Sequence, residues 1–204
     1  MPKFLIYSKE PTPYRMKRSL KGLLLAGISA EILIFLICYS IQPNWAETFR
    51  YAARYSGRLS FAVFMIGFYL FAFGHPRPVK ENKTLRNWLT LFAVVHLIHF
   101  GFLATNVYLN EIPIIPVRLS GGALAYLMIV GAPLLLHKMK LVWQLVYFYY
   151  VSAVMGITYL ARARGNFEGA EPFWFHYLAL GLIIGCALFF GYKILRAKKK
   201  PATK

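Results

Sequence analysis

The sequence predicts an all-α integral membrane protein, a six-helix bundle with both termini in the cytoplasm. Three observations predict it. Hydrophobic residues make up 58% of the 204 and charged residues only 15%, whereas soluble domains hold about 45–50% and about 25%. Six apolar stretches each approach or exceed the roughly 20 residues that a helix needs to cross a hydrocarbon core. The 24 lysines and arginines, set against seven acidic residues that are all glutamate, gather mostly in alternate segments between those stretches. A net charge of +17 could also mark a nucleic-acid binder. Such a protein spreads its charge over a folded surface and not between apolar runs, so no nucleic-acid partner is expected and the lipid bilayer is.

A basic segment, residues 1–19, comes first and is expected to be cytoplasmic. The transmembrane domain covers 20–195, with spans at about 20–42, 55–74, 87–109, 119–137, 141–161 and 173–195. The first span ends at Gln42-Pro43. It is too long for the apolar part of a signal peptide and lacks a small-residue cleavage site, so it is expected to stay in the mature chain. His75-Pro76-Arg77-Pro78 closes the second span, and Pro113 and Pro116 separate the third from the fourth. Lys138-Met139-Lys140 leaves room only for a tight turn between the fourth and fifth, hence an antiparallel pair. Gly165 to Pro172 precedes the sixth, and a basic tail, 196–204, follows it. The runs are continuously apolar and not alternating, which argues against barrel strands.

Orientation follows from the cations. The N-terminus, the second loop (Arg77, Lys80, Lys83, Arg86), Lys138 and Lys140, and the tail all fall on one side. Only Arg50, Arg54, Arg58, Arg118, Arg162 and Arg164 fall on the other, together with Glu47, Glu111, Glu168 and Glu171. The positive-inside rule then puts both termini in the cytoplasm. The cluster Arg196 to Lys200 reads as a stop-transfer anchor, with attraction to anionic lipid as the alternative. Cys38 and Cys186 lie inside apolar runs and are expected to act as small hydrophobes.

Ionisable groups at membrane depth cost about 2.5–3.5 kcal/mol on insertion scales, so each needs a partner or a function. Glu31 sits near the middle of the first span, and His96 and His99 near the middle of the third. At 1.5 Å per residue their depths are about 17, 14 and 18 Å, so the three can meet at one level. His96 and His99, three apart, share a helix face. A pairing of Glu31 with one histidine would neutralise the carboxylate. The resulting polar core would serve either helix packing or the handling of a cofactor or proton. Arg58, opening the second span, either snorkels to the interface or holds an anionic headgroup or haem propionate. Gly22 with Ala26, Gly121-Gly122 with Ala125, and Gly181 with Gly185 predict close helix approach. His137 and His176 read as interface residues. No HExxH, GxGxxG, Walker or GxSxG motif occurs.

Two patches together resemble the ferric reductase-like transmembrane domain family: Arg54-Tyr55-Ser56-Gly57-Arg58-Leu59-Ser60-Phe61, and His96-Leu97-Ile98-His99-Phe100. Ser120 to Tyr126 and the stretch from Tyr149-Tyr150 to Thr158-Tyr159-Leu160-Ala161-Arg162 extend the similarity over roughly residues 50–165. The resemblance implies six helices in the inner (plasma) membrane and haem b held by histidines of the third and fifth spans. It also implies electron transfer across the membrane with a separate redox or membrane protein partner. His99 or His96 would then ligate the haem iron, with Arg58 near a propionate. The sequence departs from the family in the fifth span, which has no histidine. The matching positions carry Trp143 and Gly156. Since His96 and His99 cannot clamp one iron from the same face, haem would bind with one histidine, or with Met155, Tyr149 or Tyr150 opposite. The alternative is a non-redox accessory or small-molecule-handling protein in which Glu31, His96 and His99 form a polar core without haem.

Overall fold

The computed structural model describes residues 19–73, 82–166 and 172–199, the side chains of 117, 118 and 195–199 excepted. The basic N-terminal segment through residue 18, the loop with His75, and the end of the tail lie outside the described residues. Those described form six helices and no strand: α1 (Leu20–Ile41), α2 (Trp45–Phe73), α3 (Lys83–Leu109), α4 (Pro116–Leu135), α5 (Leu141–Ala163) and α6 (Trp174–Lys199). Each is long and apolar enough to cross a membrane. The predicted all-α, six-span class therefore holds.

Local chemistry sets the ends. Ser19 caps α1 by accepting from the Gly22 amide, and Asn82 caps α3 by accepting from that of Leu85. Asn44 accepts from the Glu47 amide, and with Glu47 in the first turn it starts α2 at Trp45, ten residues before the expected span. That extension puts Arg50, Arg54 and Arg58 on a helix, at i, i+4 and i+8. Pro116 occupies the first turn of α4, where its missing N–H costs nothing. Pro133 cannot continue the hydrogen-bond ladder, and α4 gives way to a single 3-10 turn, Leu136–Lys138. The fully buried Gln144 closes this tight turn by donating to the carbonyls of Leu136 and Met139.

Packing centres on α2, which touches α1, α3 and α6. Phe68 and Phe71 of α2, Phe148 of α5 and Phe190 of α6 are buried in one aromatic cluster, with the Phe71 and Phe148 rings stacked at 4.3 Å. Contacts between Arg50 and Asn110, Tyr150 and Gly121, and Tyr149 and Ala187 show neighbouring helices running in opposite directions. One end of the bundle therefore carries the α1–α2, α3–α4 and α5–α6 connections. Leu127 (72% exposed) and Leu188 (70%) face outward among many other large apolar side chains, as a hydrocarbon solvent permits. On α1 the buried residues Leu23, Gly27, Glu31 and Cys38 form a single stripe.

The glycine pairs expected to bring helices together mostly do not. Gly22 and Ala26 are exposed, and a Cβ on Gly181 or Gly185 would meet nothing within 4 Å. Close approach occurs instead at Gly27, within the buried stripe of α1, where a Cβ would stand 2.5 Å from Leu91 Cδ1. Gly22 and Ala26 lie beside that stripe, on the lipid side of the helix. Gly121 does receive a partner, since its carbonyl accepts from the Tyr150 hydroxyl at 3.1 Å.

Candidate functional site

Ala53, Ser56, Gly57 and Ser60 recur on α2 at i, i+3, i+4 and i+7, which places four small residues on one face. The mid-membrane polar groups meet that face. Glu31 Oε1 accepts from Ser56 Oγ at 2.9 Å, and its Oε2 is buried without a hydrogen-bond partner. His96 Nδ1 lies 2.6 Å from Ser60 Oγ, while its ring stacks on Tyr126 at 4.4 Å. His99 packs on Gly57, and its Nδ1 is buried without a hydrogen-bond partner.

Glu31 and the histidines thus converge on a common neighbour, but the expected Glu31–histidine pair does not form. The carboxyl bonds to Ser56, His96 meets Ser60, and His99 packs on Gly57. The reason is steric. The small face of α2 lets α1 and α3 approach closely enough for their polar side chains to reach α2 directly.

These residues do not fit a haem as they are packed. His99 lies against Gly57 so tightly that a Cβ there would be 3.0 Å from the imidazole Cε1. His96 is held between Ser60 and Tyr126. Two of the three expected second ligands are engaged elsewhere, Tyr149 donating to the Ala187 carbonyl and Tyr150 to that of Gly121, while Met155 packs against the hydrophobic clusters. Trp143, which the resemblance alone sets against a histidine position, is 60% exposed on the outer surface of α5. A small apolar cavity of about 270 Å³ lies beside Glu31, walled by Ile28, Ile32, Phe35, Phe49, Ile98 and Phe102, and neither histidine lines it.

A second cavity, about 200 Å³, opens where α2, α5 and the start of α6 meet. Arg54 and Arg58 of α2 and Arg162 of α5 line it, with Tyr51, Tyr55, Tyr159, Pro172, Phe173, Phe175 and His176. The Arg58 guanidinium stands over three rings, Tyr55 at 5.1 Å, Phe173 at 4.9 Å and Phe175 at 5.2 Å, and Arg54 stands over Tyr51 at 4.9 Å. Cation–π contacts of this kind hold a guanidinium in place. Arg58 is accordingly packed between α2 and α6, which differs from a free snorkel to the interface. His176 is buried, and its Nδ1 accepts from the Phe173 amide at 3.3 Å. Its Nε2 must then carry the ring hydrogen when the imidazole is neutral. No acidic side chain lines the cavity among the described residues. Arg50, one turn before Arg54, is engaged instead with Glu47 and with Asn110 Oδ1, and so ties α2 to α3.

Arg54 and Arg162 enter a sequence reading as charges in a topology count and as end residues of two resembling patches, and His176 only as an interface residue. The signal for the first was the Arg50–Arg54–Arg58 spacing, which becomes visible once Asn44-x-x-Glu47 is read as a helix start. Nothing in the sequence joins Arg162 and His176 to it, because that proximity comes from the packing of α5 and α6. Comparison with protein-family models, curated proteins and solved structures finds no match for the chain.

Proposed function

We propose that this six-span protein handles an anionic small molecule or headgroup in the arginine-lined cavity, and that Glu31, His96 and His99 form a structural polar seam beneath it. One observation carries the reading: the guanidinium groups of Arg54, Arg58 and Arg162 line one cavity, with Arg58 standing over three aromatic rings. Arginine grips oxyanions with paired, planar donors, so a cavity lined by three of them suits an anion. The distribution of basic residues supports a plasma-membrane location with both termini cytoplasmic and the cavity opening on the opposite side.

The test is anion binding by the detergent-purified protein, followed as a rise in thermal midpoint across sulfate, phosphate and carboxylate salts at constant ionic strength. At least one anion should stabilise the protein, and Arg58→Gln and Arg162→Gln should abolish the effect. A flat response in the parent protein would end the proposal. Haem-dependent electron transfer rests on the family resemblance and would require His96 and His99 to leave their present partners. A Soret band lost on His99→Ala would favour electron transfer over anion handling.

A further inference from the structure

Apart from the arginine cavity, the fold leaves one acidic group incomplete at membrane depth. We infer that the apolar cavity beside Glu31 binds a small lipophilic amine, a single ring bearing a protonatable nitrogen, which enters from the hydrocarbon and pairs with the Glu31 carboxyl. Glu31 is 1% exposed. Its Oε1 accepts from Ser56 Oγ at 2.9 Å, whereas Oε2 is buried with no hydrogen-bond partner. Among the described residues no basic side chain forms an ion pair with it, and it is the only polar residue of the cavity lining. A buried carboxyl satisfied on one side alone costs free energy that a bound partner offsets.

The nature of the missing partner follows from the group it must meet. An amine completes the carboxyl whichever of the two holds the shared proton. An ammonium N–H donates to a carboxylate, and a neutral amine nitrogen accepts from an acid hydroxyl. An alcohol or a carbonyl makes only an uncharged, weaker bond there. The walls suit the same ligand. Phe35, Phe49 and Phe102 gather on the cavity with ring centroids 5.6, 5.8 and 6.1 Å apart, the Phe35 and Phe102 rings lying within 5° of parallel. Aromatic side chains both pack on an apolar ring and attract an ammonium group.

Size and access narrow the ligand further. At about 270 Å³ the cavity lies just below the roughly 300–1,000 Å³ of ordinary small-molecule pockets, which leaves room for one ring and a short chain. Ile28 and Ile32, which border it, are 37% and 53% exposed on the lipid side of α1. The ligand therefore arrives sideways through the hydrocarbon, as a lipophilic amine in its neutral form does and a permanently hydrated ion does not. No residue lines both this cavity and the arginine-lined one, so the two sites are separate.

Protein purified in a neutral detergent would be titrated with dimethylbenzylamine and with isobutylbenzene, which has the same shape with carbon in place of nitrogen, and binding read from the rise in thermal midpoint. The amine should bind about tenfold or more tightly than the hydrocarbon, the margin of a charge-assisted hydrogen bond. Glu31→Gln keeps an acceptor for Ser56 but sets a donor NH₂ against the ammonium donor. It should weaken the amine by a similar factor and leave isobutylbenzene unchanged. If Glu31→Gln does not fold, Ile28→Trp fills the mouth of the cavity from the lipid side and should abolish binding of both compounds. Equal binding of amine and hydrocarbon would show that the carboxyl takes no part and would overturn the inference. Amine binding that survives Glu31→Gln, or survives Ile28→Trp, would place the amine elsewhere and overturn it too, as would the absence of binding by either compound.

Discussion

Gly57→Ala tests whether the His99 imidazole is wedged against α2. The added Cβ would stand 3.0 Å from Cε1, 3.5 Å from Nε2 and 3.6 Å from Nδ1 of His99. Carbon atoms rest at about 3.5–4.0 Å, so the ring must withdraw by about 0.5–1 Å. Overpacking of this kind costs about 1–3 kcal/mol. Replacing a helical glycine by alanine also returns about 1 kcal/mol of helix propensity, which would hide part of the loss. Gly67, on the same helix, supplies the control, because a Cβ there meets nothing within 4 Å. Gly57→Ala should therefore be less stable than Gly67→Ala by about 1–3 kcal/mol in reversible unfolding from mixed micelles. Shortening the partner should remove the clash, so in a His99→Ala background Gly57→Ala should cost nothing or stabilise slightly. Equal stability of the two alanine variants, or an unchanged penalty in the His99→Ala background, would refute the packed-histidine account and reopen the third helix to a ligand.

Three other perturbations probe the frame that holds both sites. The Ser56–Glu31 contact joins α1 to α2, and a double-mutant cycle of Ser56→Ala with Glu31→Gln should yield a coupling of about 0.6–1.7 kcal/mol, the range seen for hydrogen bonds between membrane helices; strict additivity would show that the contact carries no energy. Asn110 bridges the Ala46 carbonyl, Asn106 and Arg50, so Asn110→Ala should lower stability by about 1–3 kcal/mol and increase proteolysis near the start of α2; an unchanged cleavage pattern and melting point would contradict the clamp. Phe148 is fully buried among Phe64, Phe68 and Phe71, so Phe148→Ala should cost about 3–5 kcal/mol, while Leu127→Ala on the lipid face should barely register; similar effects for the two would mean that the aromatic cluster is not the core.

The architecture was legible because hydropathy over 20 residues is a strong signal and bilayer thickness leaves few ways to satisfy it. The interior was only half legible. Glu31, His96 and His99 stand out as expensive residues, and their common depth follows from helix rise alone. Their partners do not, because partners depend on helix rotation and neighbour choice. The clue was Ala53-Ser56-Gly57-Ser60, a small-residue face more telling than the glycine pairs that end up exposed. The cavity was least legible. Its arginines come from two helices and its histidine from a third, and each taken singly is explained by topology.

The choice of cation at the two ends of the bundle bears on that cavity. Every basic residue in the segments at its end is arginine: Arg50, Arg54 and Arg58 on α2, Arg118 at the start of α4, and Arg162 and Arg164 at the end of α5. The other end uses mainly lysine, with Lys21, Lys83, Lys138, Lys140 and Lys193 among its described residues. Charge alone would not separate the two, since either residue orients a membrane protein. Arginine differs in being planar, in stacking on aromatic rings, and in gripping oxyanions with paired donors. Arg54 and Arg58 stack as that chemistry allows, and Arg50 shows the alternative use of the fork, bridging Glu47 and Asn110. Lysine at the end that only needs charge, and arginine where geometry is needed, is the pattern expected of a topology determinant opposite a binding site. Arg58→Lys should therefore leave membrane orientation intact, as read by accessibility of terminal tags, while weakening anion-dependent stabilisation. If the lysine variant retains full stabilisation, the fork is irrelevant and the arginines are there for charge alone.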